Sequence, residues 1–240
     1  MSKKPWKTVL IERQTLLRNL LAKMLRLTSQ FELLAEVEDA VEGKAVCLQT
    51  RPDLVILDVS VGRMEDIVLA QQLIQQLPMS RILVLSEAKD SFTLYRLHQI
   101  GIHGFVEKDQ SLEVVEEALV EVASGRNYFT ATLCRNEEQL RLDTQAFSKI
   151  LTAKEQQILW YVAKGWTSKA IARRLNMSHR TVETYRYRLM KKLEIDSMAG
   201  LIEFAYRTGF MLSEESALVL RQSTRETSQT EPWARSPPTK

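Results

Sequence analysis

Apolar positions in the first half of the chain fall into short continuous runs: TVLI (8–11), FELLAEV (31–37), LVILDV (54–59), RILVLS (81–86) and GFVEK (104–108). Between the runs, apolar residues recur at helical intervals, as at Leu16, Leu17, Leu20, Leu21 and Leu25. Short buried runs that alternate with amphipathic stretches predict βαβ units, hence a parallel, doubly wound sheet with helices on both faces. Five strands and five helices fit before Gly125.

The pattern weakens from Arg126 to Ala146, where NEEQLRLDTQ reads as a polar linker or an exposed helix. A helical unit then starts sharply at LTAKE, with Thr152 as N-cap, Glu155 completing a capping box, and Ile150 and Leu151 as staple residues. This helix is expected to run to Lys164 and stop at Gly165. Ser168 and Ser178 are N-cap candidates for a second helix through Leu175 and a third through Leu193. A fourth is expected from Met198 to Thr208, ended by Gly209. The domain reading is therefore 1–126, a linker 127–147, a helical unit 148–211, and a polar tail 212–240 that reads as disordered, with Trp233 as its lone aromatic anchor candidate.

Charge divides the chain in the same way. Residues 1–126 hold 15 basic and 18 acidic side chains, whereas residues 148–210 hold 12 and 5, an asymmetry that marks the second half as the nucleic-acid-binding one. No apolar run approaches the about 18 residues of a membrane span, so a cytoplasmic protein without membrane contact is expected. Cys47 and Cys134 have neither metal-ligand spacing nor the density of a disulfide scaffold and read as filler.

On the third helix, Val182, Tyr185, Leu189 and Leu193 share one face, and Thr184, Tyr187, Arg188 and Lys191 share the other, with Glu183 beside them. Such a helix is either a solvated charged surface or a reader of the major groove. The short turn NMSH before it favours the second reading. The segment LTAKEQQILWYVAKGWTSKAIARRLNMSHRTVETYRYRLMKKLEI resembles the LuxR-type helix-turn-helix of the NarL/FixJ response regulators. That resemblance implies binding to double-stranded DNA as a homodimer, with the fourth helix taking part in dimerisation. It puts Glu183, Thr184, Tyr187 and Arg188 toward the groove, and Arg180, Thr181, Lys191 and Lys192 on phosphates. Tyr185 replaces the family's common His, and Glu183 stands where Lys is frequent; a carboxylate accepts from cytosine N4 and repels phosphate.

In the first half, Asp58 ends the most apolar run, Ser86 ends the fourth, and Lys108 follows Phe105 closely. With strand order 2-1-3-4-5, a flavodoxin-like arrangement, these three residues converge at the carboxyl edge of the sheet. The pattern over roughly residues 5–126 resembles a response-regulator receiver domain. By that resemblance Asp58 is the phosphoacceptor, Ser86 and Lys108 lie on the phosphoryl side, and Phe105 is the aromatic switch position.

Glu12 and Arg13 occupy the place where receivers carry an acidic pair that holds Mg²⁺. Arginine cannot ligate a metal, so the metal half of the pocket is altered while its phosphate half is retained. Gly62 at a usual Pro position and Asp66 at a usual Gly depart in the same direction. Three readings compete. Arg13 pairs with Asp58, and the usual Mg²⁺-dependent phosphorylation is absent; or Glu12 and Asp58 suffice to hold Mg²⁺; or Arg13 points to solvent. The first is favoured, with no cofactor expected and Mg²⁺ only under the second. The alternatives for the whole chain are a conventional regulator phosphorylated on Asp58, with a sensor kinase or another regulatory protein as partner, and a receiver-like docking adaptor.

An enzyme is not expected. A haloacid-dehalogenase-type site needs a second Asp where Ser60 stands, no phosphate-binding glycine loop occurs, and His98, His103 and His179 have no metal or triad spacing.

Overall fold

Runs of fully buried aliphatic residues make the strands of the first unit. The computed structural model describes residues 4–60, 63–143 and 146–211; Gly62 and the tail with Trp233 lie outside them. Contacts divide the chain between Ala146 and Phe147.

The first unit contains β1 (Trp6–Ile11), α1 (Thr15–Leu27), β2 (Phe31–Val37), α2 (Ala40–Thr50), β3 (Leu54–Val59), α3 (Met64–Gln76), β4 (Arg81–Ser86), α4 (Ser91–Gln99), β5 (Gly104–Glu107) and α5 (Leu112–Ala123). Every residue of β3 is buried, as a central strand covered on both faces must be. One face of the sheet packs Leu10, Ile56, Leu83 and Val106 against Leu21 and Leu25 of α1 and Leu119 and Val122 of α5. On α2, a Cβ added at Gly43 would come within 2.6 Å of the Ile11 side chain, so glycine lets this helix lie against β1.

The parallel sheet has the order β2-β1-β3-β4-β5 and adds a sixth strand, β6 (Tyr128–Phe129), beyond β5. It is followed by α6 (Ala131–Leu142), which packs on α4: Leu133 is buried, and Asn136 donates to the Ser91 carbonyl at 3.5 Å. Residues 127–142, expected as a linker, therefore belong to the first unit. Two residues are too few to show a period, and backbone pairing with β5 defines this strand.

Parallel strands bring their carboxyl ends to one rim. With β1 beside β3, β3 beside β4 and β4 beside β5, the residues after Ile11, at Asp58, at Ser86 and after Glu107 gather there.

The second unit consists of α7 (Phe147–Ile150), α8 (Ala153–Ala163), α9 (Ser168–Leu175), α10 (His179–Leu193) and α11 (Met198–Arg207). Thr152 and Glu155 form the expected capping box, and Gly165 leaves α8 at φ +77°. The N-cap of α9 is Thr167, one residue before the expected Ser168; Thr167 accepts from the Ala170 amide at 3.3 Å. Asn176 ends α9 in the left-handed region at φ 51°, and Ser178 caps α10 by accepting from the Thr181 amide at 3.0 Å. The core gathers Ile158, Leu159, Ile171, Val182, Leu189, Leu201 and Phe210, with Phe147 edge-on to Phe210 at 4.8 Å.

Candidate functional site

At the rim of the first unit, Asp58 is almost fully buried with both carboxylate oxygens engaged. Lys108 Nζ lies 2.9 Å from Oδ1, and Arg13 Nη2 lies 2.9 Å from Oδ2. The same guanidinium grips Asp66 on α3 with two bonds, Nη1 to Oδ1 at 2.9 Å and Nη2 to Oδ2 at 2.7 Å, and donates to Ser60 Oγ at 2.7 Å. A two-pronged arginine–carboxylate pair has strong directional geometry. Asp66 Oδ2 also accepts from the Ser60 amide at 3.0 Å, which ties the loop after β3 to α3. Ser60 Oγ lies 3.3 Å from Asp58 Oδ2.

Glu12 is 1% exposed and turns toward Lys108, whose Nζ is 2.8 Å from each carboxylate oxygen. Its Oε1 also accepts from the Gln14 amide at 2.8 Å. Burial raises the Glu12 pKa above its ordinary value, opposed by these hydrogen bonds and assisted by the nearby Asp58 charge. For Arg13, burial works to lower the pKa, but the Asp66 bonds and the charges of Asp66, Asp58 and Glu12 outweigh it and raise the value. Arg18 holds this strand end in place by donating to the Glu12 carbonyl at 2.8 Å.

The expected site residues thus come together, except that Ser86 and Phe105 have local partners. Ser86 donates to the Val59 carbonyl at 2.5 Å and accepts from the Ala88 amide at 2.9 Å. Phe105 is fully buried, and its carbonyl accepts from the Thr130 amide at 3.1 Å. In the sequence Asp66 reads only as a departure from the family pattern, and Ser60 only as the residue that excludes a haloacid-dehalogenase-type site. The available signal is a carboxylate eight positions after Asp58, once paired with the cation at position 13. As for a divalent cation, Glu12 and Asp58 are the carboxylates on offer, and both already hold ammonium or guanidinium groups. Among the described residues no three Asp, Glu, His or Cys side chains form a metal-holding group.

In the second unit, α10 buries Val182 and Leu189, while Tyr185 and Leu193 are half-buried. Arg180, Thr181, Glu183, Thr184, Tyr187, Arg188, Lys191 and Lys192 are exposed. Two polar pins hold the helix. Lys192 Nζ lies 2.8 Å from Glu155, so the lysine expected on phosphate is tied to the capping box of α8. Arg186 hydrogen-bonds Ser168 at the start of α9. Neither pin is visible as a local pattern, because each joins side chains on different helices.

A doubly wound parallel domain with carboxylate and lysine at its rim, and a helical unit exposing the basic α10, define a receiver joined to a helix-turn-helix module. The comparisons agree. The response regulator receiver domain family model matches residues 8–120, and that of the luxR family of bacterial regulatory proteins matches residues 149–205. EvgA, a DNA-binding transcriptional activator of Escherichia coli K12, is 30% identical over 191 residues, covering 80% of this chain and 91% of EvgA. The oxygen regulatory protein NreC of Staphylococcus epidermidis is 29% identical, covering 84% and 97%. RcsB of Salmonella enterica serovar Typhimurium, solved on promoter DNA, shares the fold with a TM-score of 0.55 at 21% identity, over 86% of this chain and 99% of that one. The chain belongs to the NarL/FixJ family of response regulators. It is a DNA-binding transcription regulator.

Proposed function

We propose that this regulator binds paired DNA half-sites as a cytoplasmic homodimer, and that its first unit is not switched by the usual Mg²⁺-dependent phosphorylation of Asp58. The observation that carries this reading is the Arg13 guanidinium, 2.9 Å from Asp58 and doubly bonded to Asp66. Phosphoryl transfer to a carboxylate depends on cations that neutralise the transferring group while leaving an oxygen free to attack. Here two fixed cations already neutralise Asp58, and each of its oxygens has one as neighbour. Mg²⁺ prefers oxygen ligands in near-octahedral order, and a guanidinium beside the carboxylate repels it. The residues present do not fit the metal. Control then lies in a protein partner, in assembly or in the amount of protein; a sensor kinase is not required.

The test is to treat the full chain with acetyl phosphate, and separately with beryllofluoride, at low-millimolar Mg²⁺. Intact mass and DNA binding are expected to stay unchanged. A stoichiometric adduct on Asp58 overturns the proposal. For the DNA reading, two-fold symmetry of a dimer predicts a palindromic site with half-sites about one helical turn apart; a selected site without such symmetry rejects the dimer.

A further inference from the structure

We infer that Glu183 is a specificity-determining residue that selects a cytosine in the operator, accepting the N4 amino hydrogen in the major groove, while Arg188 holds a guanine nearby. This rests on α10 being the helix that reads DNA.

Glu183 lies on the exposed surface of α10 with its side chain 52% exposed, and the groups nearest its carboxylate are the His179 ring at 3.8 Å and the Arg186 guanidinium at 3.7 Å. Both distances are too long for hydrogen bonds, so the carboxylate keeps its acceptor capacity. Its neighbours on the exposed surface are Arg180, Thr184 and Tyr187. An anion there meets a polyanion, and repulsion lowers affinity for every sequence unless a base edge supplies a donor. Only the cytosine N4 and adenine N6 amino groups donate in the major groove. Adenine sets the N7 acceptor beside its amino group, which repels the second carboxylate oxygen. Cytosine has no such neighbour.

The other exposed groups limit what else α10 can read. The hydroxyl of Thr184 donates to the Arg180 carbonyl at 2.9 Å, so its only hydrogen is engaged inside the helix and it offers a methyl group and acceptor lone pairs. Arg188 has its guanidinium 5.9 Å from the centre of the Tyr185 ring, and its fork matches guanine O6 and N7. Arg188 lies five positions after Glu183, about 7.5 Å of helix rise. The two bases then fall within a few base pairs of one another.

The experiment selects binding sites from random duplexes with the full chain, in parallel for wild type, Glu183→Gln, Glu183→Ala and Arg188→Ala, after thermal melting has verified that all fold alike. Wild type is expected to select a site with one position preferring cytosine by about tenfold. Glu183→Gln moves that position to adenine, because an amide can both donate to N7 and accept from N6. Glu183→Ala flattens that position alone and strengthens binding to random duplex. Arg188→Ala flattens a guanine position. Identical preferences at every position for wild type and both Glu183 variants overturn the inference while leaving sequence-specific binding intact. If wild type selects no site at all, the DNA-reading assignment of α10 fails as well.

Discussion

At the rim of the sheet, Arg13 and Lys108 lie within 2.9 Å of buried carboxylates. On α10, Arg180, Arg188 and Lys191 are exposed, and among the described residues no carboxylate pairs with them. The first set of charges is closed on itself and the second is open. A closed cluster stabilises one arrangement of strands and loops and has little left to offer a ligand. Open cations gain their partner only when a polyanion arrives. The difference separates charge that is satisfied within the fold from charge left facing solvent in one chain.

The largest effect expected from breaking the contrast is on the closed side. Arg13→Ala leaves Asp66, 1% exposed, without its two-pronged partner and with only Arg63 nearby at 3.8 Å, and removal of one partner from a buried pair costs about 3–5 kcal/mol. Urea denaturation of the full chain should show the loss in the first transition, with DNA-binding specificity unchanged; an unchanged midpoint would mean that the cluster is not stabilising. Arg13→Asp alone would crowd a fourth carboxylate against Glu12, Asp58 and Asp66. The double change Arg13→Asp/Asp66→Ala is therefore the variant expected to bind Mg²⁺, read by calorimetric titration. If neither variant gains metal affinity, position 13 does not govern the metal site.

On the open side, Arg188→Ala and Thr184→Ala should weaken specific binding more than nonspecific binding, Arg188→Ala by about 1–3 kcal/mol on the selected site. Equal losses on specific and random duplexes would reject their base-reading role. A smaller effect sharpens the boundary between the two kinds of charge. Because Lys192 is paired with Glu155, Lys192→Ala should leave the salt dependence of DNA affinity unchanged and lower the melting temperature of the second unit. Arg180→Ala and Lys191→Ala should each reduce the salt slope by about 0.9. A similar drop for Lys192→Ala would return it to the phosphate-binding set.

The smallest expected effect concerns a half-buried group outside both clusters. His103 Nδ1 accepts from the Ile82 amide at 3.0 Å, a bond only the neutral ring can make. Burial, aided by Arg81, pushes its pKa down from 6.5 to about 4. The unfolded chain binds this proton near pH 6.5 and the folded chain only near 4, so stability present above pH 6.5 is lost as pH falls between those values. His103→Asn, which can accept the same bond without titrating, should flatten that slope when urea midpoints at pH 7 and pH 5 are compared. An unaltered slope would assign the pH dependence to other groups.

Much of the fold is legible in the residues. β2, β3 and β4 begin and end where their apolar runs do, and α10 spans His179–Leu193 between the Ser178 cap and Glu194. β6 is not, since Tyr128 and Phe129 carry no period of their own. The site is legible in part: Glu12, Arg13, Asp58 and Lys108 follow from strand ends, but Ser60 and Asp66 gain meaning only beside the guanidinium. Ser168 reads as a cap and in the structure is the partner of Arg186.

The residues alone determined the alternation of strands and helices, the caps and the amphipathic pattern of α10, because burial periodicity and capping act between neighbours a few positions apart. Tertiary structure alone decided that Arg13 would hold Asp66, 53 residues away, that Lys192 would turn to Glu155, and that a two-residue strand would extend the sheet. Ion pairs and backbone ladders of this kind carry no local signature, and their partners are chosen only once the chain has brought distant segments together.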